Sequence, residues 1–453
     1  MRERPIGRAP GAALGPIENQ GTPAPGVAAP APVAPVTPRG VAPAEPVVRA
    51  ARAGRLRQTF IALHERNFRI FWLGQLVSVT GTWMQTVAQG WLVLELTGSP
   101  LILGLATAAR SVPVMLLVFP AGFVADRFDR RRIILATNVG AALAATLLGL
   151  LALTDQATVP VILGLALVLG VTNAFEMPAR QSYISELIGK QHLANAIALN
   201  SLLFNSARVV GPALAGILVA LVGPGWAFLL NGITFIPVIV GLLLISVASA
   251  SRPTVAARSA LPEVVRYLRR EPRVTLLLGL LAAQTILASG QFILAPSLAG
   301  DLGQGAEGLG VLLSASGAGA VVGGLGLAAT ANRSERWRVL LAAALALGIG
   351  LAALGLHRSY AITLVCLAVA GWGTVTFNAS TNTLIQSIVP DRLRGRVLSL
   401  YVLTLLGLMP VAGVVMGALG TAVGSAEAIA LGGAAYLVLI LAAFAFARPL
   451  RRV

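Results

Sequence analysis

The chain has 453 residues, of which 56% are hydrophobic and only 11% charged, and a formal net charge of +17. Soluble domains carry about 25% charged residues to make a polar skin, so folding alone leaves this chain's apolar surface unsatisfied and lipid must be its solvent. The charge does not mark a nucleic-acid binder, because the arginines sit in short clusters between apolar runs, without a basic face or stacking aromatics.

Residues 1–58 are rich in Pro, Ala and Gly and predict an extended cytoplasmic tail. They lack the continuous apolar segment of a secretory signal. Apolar runs then predict twelve membrane helices, at 69–95, 101–125, 133–154, 158–179, 196–221, 226–248, 274–297, 308–330, 339–356, 360–381, 397–422 and 427–447. Each run is near or above the length that crosses about 30 Å of hydrocarbon. The expected fold is an all-α membrane protein with a six-helix half over 59–248, a linker over 249–273, a second half over 274–448 and a short tail over 449–453.

All of the 34 Lys and Arg except Arg110, Arg208 and Arg358 fall on one side of this layout. The excess of cations on the inner side places both termini in the cytoplasm. In the linker, LPEVVRYLRREPRV predicts a basic amphipathic helix lying on the membrane surface. The halves echo each other: ISELIGKQHLANAIAL from Ile184 and IQSIVPDRLRGRVLSL from Ile385 both follow a fourth helix, and lead into helices with Pro212 and Pro410. Paired six-helix halves suit a transporter whose central site opens alternately to each side.

Ionisable residues inside helices are expensive and mark pathways or partners. Arg110 lies in the second helix and Arg208 in the fifth; Arg208 is read as a cavity or gate residue, with a structural role as the alternative. Glu95 ends the first helix within snorkelling reach of Arg110, and Glu176 stands one turn before Arg180. Each carboxylate is a candidate for a structural pair or for the coupled proton. Trp83, Gln85, Gln89, Asn205, Gln284, Gln291 and Asn378 are candidates to line a pathway, or to bond neighbouring helices. Trp72 reads as an interface anchor.

No enzyme signal is present. There is no GxxxxGK[ST] phosphate loop and no nucleophile motif, and His64, His192 and His357 lie far apart without metal-ligand spacing. Cys366 is the single cysteine and sits in an apolar run, as a small core residue does. Neither a cofactor nor a metal is expected.

The loop after the second helix reads Gly122-Phe-Val-Ala-Asp126-Arg127-Phe-Asp129-Arg130-Arg131-Arg132. Gly122 permits close helix contact, and Asp126 sits where a carboxylate meets another helix's N-terminus. The corresponding turn of the second half has Arg333, Arg336 and Arg338 but no aspartate. This loop resembles the signature of the major facilitator superfamily. TWMQTVAQGWLVLELTGSP, AFEMPARQSYISEL and NSARVVGPALAGIL resemble its drug:proton antiporter group, which includes enterobactin exporters and macrolide efflux proteins. The resemblance spans about Phe68 to Arg448.

The resemblance implies that Asp126 closes the cytoplasmic side against the start of the eleventh helix, near Arg394 to Val397, with Arg127, Arg130 and Arg131 in the same gate. Asp129 stands where the family carries a second glycine. Gly211, Pro212 and Gly216 resemble part of the antiporter motif. The expected function is secondary active export of small amphiphilic molecules (drug, macrolide or siderophore-like) by proton antiport, from a multi-pass monomer in the bacterial inner membrane. Its partners would be the bilayer, a small-molecule substrate and protons, with no nucleic acid. The alternatives are an importer or symporter of a small nutrient, and a non-transporting membrane receptor or assembly protein.

Overall fold

The structure, a computed structural model, describes residues 60–189, 191–245, 261–329 and 336–446. The expected tail over 1–58, most of the linker before Leu261, Arg333 and the end over 449–453 lie outside the described residues.

Among the described residues all regular structure is helical. Hydrocarbon offers backbone groups no partner, so apolar runs satisfy their own N–H and C=O groups by coiling. The first half contains α1 (Arg66–Thr97), α2 (Pro100–Arg127), α3 (Arg130–Leu153), α4 (Val159–Leu187), α5 (Leu193–Val222) and α6 (Pro224–Leu244). After the linker helix α7 (Leu261–Arg270) come α8 (Pro272–Ile293) and the short α9 (Ala295–Asp301). They are followed by α10 (Ala306–Ala329), α11 (Arg336–Ala352), α12 (Tyr360–Ile388), α13 (Asp391–Val423) and α14 (Ser425–Phe446).

Eleven helices among the described residues are long and apolar enough to cross a membrane. The remaining long helix, α1, has 32 residues and buries Gln75, Gln85 and Gln89, which lower its hydropathy without removing it from the bundle. It completes the expected twelve. Boundaries moved where punctuation was misread. The fourth helix continues through Pro178 to Leu187, beyond the expected 179. The sixth is interrupted at Phe235 ahead of Pro237, and the eleventh at Leu408 ahead of Pro410. The seventh breaks at Ala288 and again before Pro296. Proline donates no N–H and crowds the preceding turn, which accounts for the breaks ahead of Pro237, Pro296 and Pro410, while the break at Ala288 falls just before Gly290.

Both halves pack by one scheme. Within each half the second helix lies on the fourth (α2 on α4, α10 on α12), the third on the sixth (α3 on α6, α11 on α14) and the first on the fifth (α1 on α5, α8 on α13). The turns into the sixth and twelfth helices match as well. Gly223 (φ 87, ψ 167) and Gly424 (φ 96, ψ 157) occupy a backbone region that a Cβ strongly disfavours.

The bundle has two chemically different ends. At one end, here called the basic end, Arg130 pairs with Glu186, Arg131 reaches the carbonyls of Leu242 and Leu243, and Glu263 accepts from Arg392 and Arg396. At the far end the turns are short; the Leu101 N–H donates to Thr421 Oγ1, and Arg358 pairs with Glu427.

Across the middle, α2 lies on α13 and α5 on α10, joining the halves. These contacts are glycine-lined. A Cβ on Gly104 would run into the Gly413 carbonyl, and one on Gly413 would come to 2.5 Å from the Gly104 oxygen. On the second seam, a Cβ on Gly216 would stand 2.9 Å from Ala306 O, and one on Gly310 2.6 Å from Pro212 O. Small residues at these positions allow backbones to touch, which drives helix association where no hydrophobic effect operates. These approaches lie in the far-end halves of the four helices. Toward the basic end, Gly122 of α2 and Gly395 of α13 face open space where a Cβ would stand. The halves are therefore sealed together at the far end and part toward the basic end.

Candidate functional site

Between the halves lies a cavity of about 560 Å³, within the size range of small-molecule sites. Its two walls differ. The first half contributes Gln75, Gln85 and Gln89 from α1, Arg110 from α2, Glu176 and Arg180 from α4, and Arg208 from α5. Every lining residue from the second half is apolar: Phe292, Ile293, Pro296, Leu313, Leu406 and Met409. A side pocket of about 100 Å³ shares Arg110, Asn173 and Met177 with the main cavity.

Gly211 explains how α1 and α5 present their side chains together. A Cβ there would lie 2.5 Å from Trp83 Cβ and 2.9 Å from Thr80 O, so glycine lets α5 press against α1. One turn earlier on α5, Arg208 then meets Trp83, its Cζ 5.7 Å from the indole centroid. The same Cζ lies 4.7 Å from the centroid of Phe292, which the broken α8 supplies from the other half. Contacts of this kind are worth about 0.5–2 kcal/mol each, against the roughly 2.5–3.5 kcal/mol that an arginine at mid-membrane costs on insertion scales. Arg208 Nε is buried and has no hydrogen-bond partner.

Arg110 donates to Thr86 Oγ1 at 3.1 Å. Arg180 pairs with Glu176 at 3.0 Å, one helical turn away, and lies over Phe204 at 4.7 Å. Three guanidinium groups thus face the cavity against one carboxylate, and the wall is net positive.

The sequence-derived assignments divide as follows. Trp83, Gln85, Gln89, Arg110, Glu176, Arg180 and Arg208 all reach the cavity. Asn205, Gln284, Gln291 and Asn378 do not line it. Asn205 donates to Ser201 O on its own helix, and Gln291 bonds Ala288 O and Thr374 within the second half. Gln284 is buried, and the Asn378 carbonyl accepts from Tyr401 Oη. In lipid a polar side chain turned toward a neighbouring helix is as acceptable as one turned toward a cavity, so residue type could not separate the two groups.

Glu95 does not pair with Arg110; it is exposed beside the far-end turn and accepts from Trp91 Nε1 at 2.6 Å. Trp72, expected as an interface anchor, donates to Leu199 O at 3.1 Å and ties α1 to α5. Phe292 was not anticipated. Its signal was Gly290 and Pro296, which punctuate the seventh helix as discontinuous helices at transporter sites are punctuated.

The basic-end loop is held by bonds within the first half. Asp129, in place of a glycine, caps α3 by accepting the Arg131 N–H at 2.9 Å. Arg130 binds Glu186 of α4 and the Ala125 carbonyl, and Arg131 binds the last carbonyls of α6, where a cation complements the helix dipole. These two arginines brace the first half internally. Arg127 lies over Phe123 at 5.2 Å. Asp126 is exposed and forms no ion pair with the start of α13. There Arg394 pairs with Asp391 at 2.6 Å, while Arg392 and Arg396 are both taken by Glu263 of α7 at 2.7 Å. The linker helix forms as expected, but its Val264 is buried and Tyr267 Oη reaches Ile388 O, so it packs on the second half as well as facing outward. Of the antiporter-like residues, Gly211 seats α1, Pro212 lines the cavity and Gly216 joins the seam with α10.

Twelve long helices among the described residues, in two similarly packed halves with a cavity of one polar and one apolar wall at their junction, make up a secondary-transporter fold. The chain belongs to the transmembrane secretion effector family of the major facilitator superfamily, whose profile matches residues 57–453. It is similar to the staphyloferrin A transporter of Staphylococcus aureus, 25% identical over 77% of this chain and 88% of that one. It is also similar to the multidrug efflux pump Tap of Mycolicibacterium fortuitum, 26% identical over 71% and 81%. The enterobactin exporter EntS of Shigella flexneri is 26% identical over 74% and 80%. Among solved structures, the nucleoside transporter NupG shares the fold with a TM-score of 0.69 at 11% identity, over 84% of this chain and 99% of that one. A bacterial homolog of the human lysosomal transporter Spinster, inward-facing and unoccupied, shares it with a TM-score of 0.62 at 16% identity, over 85% and 96%. The protein is a membrane transporter and not an enzyme.

Proposed function

We propose that the protein exports small amphiphilic molecules from the bacterial cytoplasm by alternating access, exchanging them for protons across the inner membrane as a monomer. The observation that carries this reading is the cavity between halves sealed at the far end and parted at the basic end. With the basic end cytoplasmic, as the distribution of arginine favours, this is the state that loads from inside. Two of the named relatives are an exporter and an efflux pump, which supports the outward direction.

In the opposite state Asp126 reaches the start of α13 and Gly122 permits the approach; Arg127 joins them, while Arg130 and Arg131 hold the loop in place. Glu176 is the carboxylate that takes the proton. It is the acid on the cavity wall, and its protonation releases Arg180, giving the bound proton a different stabilisation in the two states, as coupling requires. Glu95 stands at the far-end surface beside Trp91 and is not assigned this role.

Energised vesicles carrying the protein test the reading with three fluorescent amphiphiles, one cationic, one neutral and one anionic. Expected is movement of at least one dye away from the cytoplasmic face that collapses with a protonophore, weakens in Asp126→Asn and loses its dependence on the pH gradient in Glu176→Gln. Movement toward the cytoplasmic face, or movement indifferent to the protonophore, overturns the proposal.

A further inference from the structure

We infer that the cavity is built for an anionic amphiphile, whose carboxylate or equivalent oxyanion binds Arg208 beside the rings of Trp83 and Phe292, with Arg110 as a second cation. This rests on the reading of the cavity as the transport site, and it narrows the chemistry of the cargo.

The charge balance comes first. Glu176 is already paired with Arg180, which leaves Arg110 and Arg208 uncompensated on the same wall. No acidic side chain among the described residues forms an ion pair with either of them. Arg110 has only the neutral Thr86 hydroxyl. Arg208 has no hydrogen-bond partner for its buried Nε, and its charge rests on two aromatic rings. A cationic cargo entering this space would meet two unbalanced positive charges in surroundings of low polarity, where repulsion is poorly screened.

Geometry then selects the kind of anion. Stacking occupies the face of a guanidinium and leaves the N–H groups along its edge available, and that edge is a fork matched to a carboxylate. The two rings lie 5.7 and 4.7 Å from Arg208 Cζ, and among the described residues its buried Nε has no hydrogen-bond acceptor. Phe292, Leu313, Leu406 and Met409 lie across the cavity without a polar group among them, a surface suited to the apolar body of the same molecule. Because Trp83 and Arg208 belong to the first half and Phe292 to the second, an anion held there touches both moving parts at once.

The test uses a matched pair of probes, dansylglycine, which is an anion at neutral pH, and dansylglycinamide, which has the same body without the charge. Binding is measured by dansyl fluorescence on purified protein in nanodiscs of zwitterionic lipid, so that an anionic lipid headgroup cannot occupy the site. The expected result is that dansylglycine binds about 10-fold or more tighter than the amide, as a lost charge-assisted fork requires. In Arg208→Gln the gap should shrink to the smaller part that Arg110 supports. Arg208→Lys, which retains the charge but not the fork, should keep part of the preference and so shows that the site is still folded. Equal affinities in the unaltered protein, tighter binding of the amide, binding of neither, or a gap undiminished in Arg208→Gln each overturns the inference. Flux of the same two probes in sided vesicles separates this outcome from the transport reading. If the anion binds through Arg208 but moves toward the cytoplasmic face, export fails and the inference stands. If both probes are exported equally, the inference fails and export stands.

Discussion

The two ends of the bundle are held by different forces. At the far end the halves meet backbone to backbone through glycines, with Gly104 against Gly413 and Gly216 against Gly310. At the basic end the charged pairs among the described residues stay on their own side of the junction: Arg130 with Glu186 inside the first half, and Glu263 with Arg392 and Arg396 inside the second half and its linker. A glycine seam is short-ranged and all-or-none, since contact is lost once helices separate by a fraction of an ångström. Ion pairs confined to one half stiffen it without opposing its motion. The difference teaches that the far end carries the contact between the halves, while the ion pairs of the basic end brace each half separately.

The largest effect should come from breaking the seam. Gly104→Leu places a side chain where the Gly413 carbonyl stands, and overpacking of this kind costs about 1–3 kcal/mol. Vesicle transport should fall to near background, with a lowered thermal midpoint for the purified protein. Gly122→Leu is the counterpart. Nothing lies within 4 Å of a Cβ there, so the midpoint should hold while transport drops, because only closure of the basic end is obstructed. Equal midpoints for the two variants would erase the distinction between the ends.

A smaller effect separates the two sets of ion pairs. Arg130 and Glu186 are each only 14% exposed, and Arg130→Gln should destabilise the first half by about 1.5–3 kcal/mol. Glu263 is 40% exposed and its partners 73% and 38%, so Glu263→Gln should cost about 1 kcal/mol or less and lose even that in high salt. Chemical denaturation of both variants at low and high salt gives the comparison.

The smallest effect concerns pH at the far end. Burial pushes the Asp301 carboxyl above the ordinary aspartate range; Arg358 and the Ser425 N–H oppose the shift and Glu427 adds to it. A carboxyl raised in the folded state favours the fold while it is protonated, and that contribution is lost as pH rises through the raised value. The thermal midpoint should therefore decline slightly as pH passes above the ordinary aspartate range. Asp301→Asn should flatten that decline, and an unchanged slope would show that Asp301 does not contribute.

Much of this protein was determined by its sequence alone. Long apolar runs in a chain with so few charges leave only membrane helices available, because lipid supplies no partner for an unpaired backbone. The spacing of Glu176 and Arg180 announced their pair, since residues four apart share a helix face. The loop from Gly122 to Arg132 carried the family resemblance. The tertiary structure decided which way each helix is turned. Gln85 and Gln89 face the cavity while Asn205, Gln284, Gln291 and Asn378 face elsewhere, and no amphipathic stripe distinguishes them, because a helix in lipid is apolar nearly all round. Arg208 gained its meaning only when Trp83 and Phe292, remote in the chain, were brought over it. Gly104 and Gly122 are the same residue on one helix, yet one is locked in a seam and the other faces open space. Composition chose the solvent and so the helices, whereas rotation and contact between helices depend on packing of small residues against each other, which only the assembled bundle specifies.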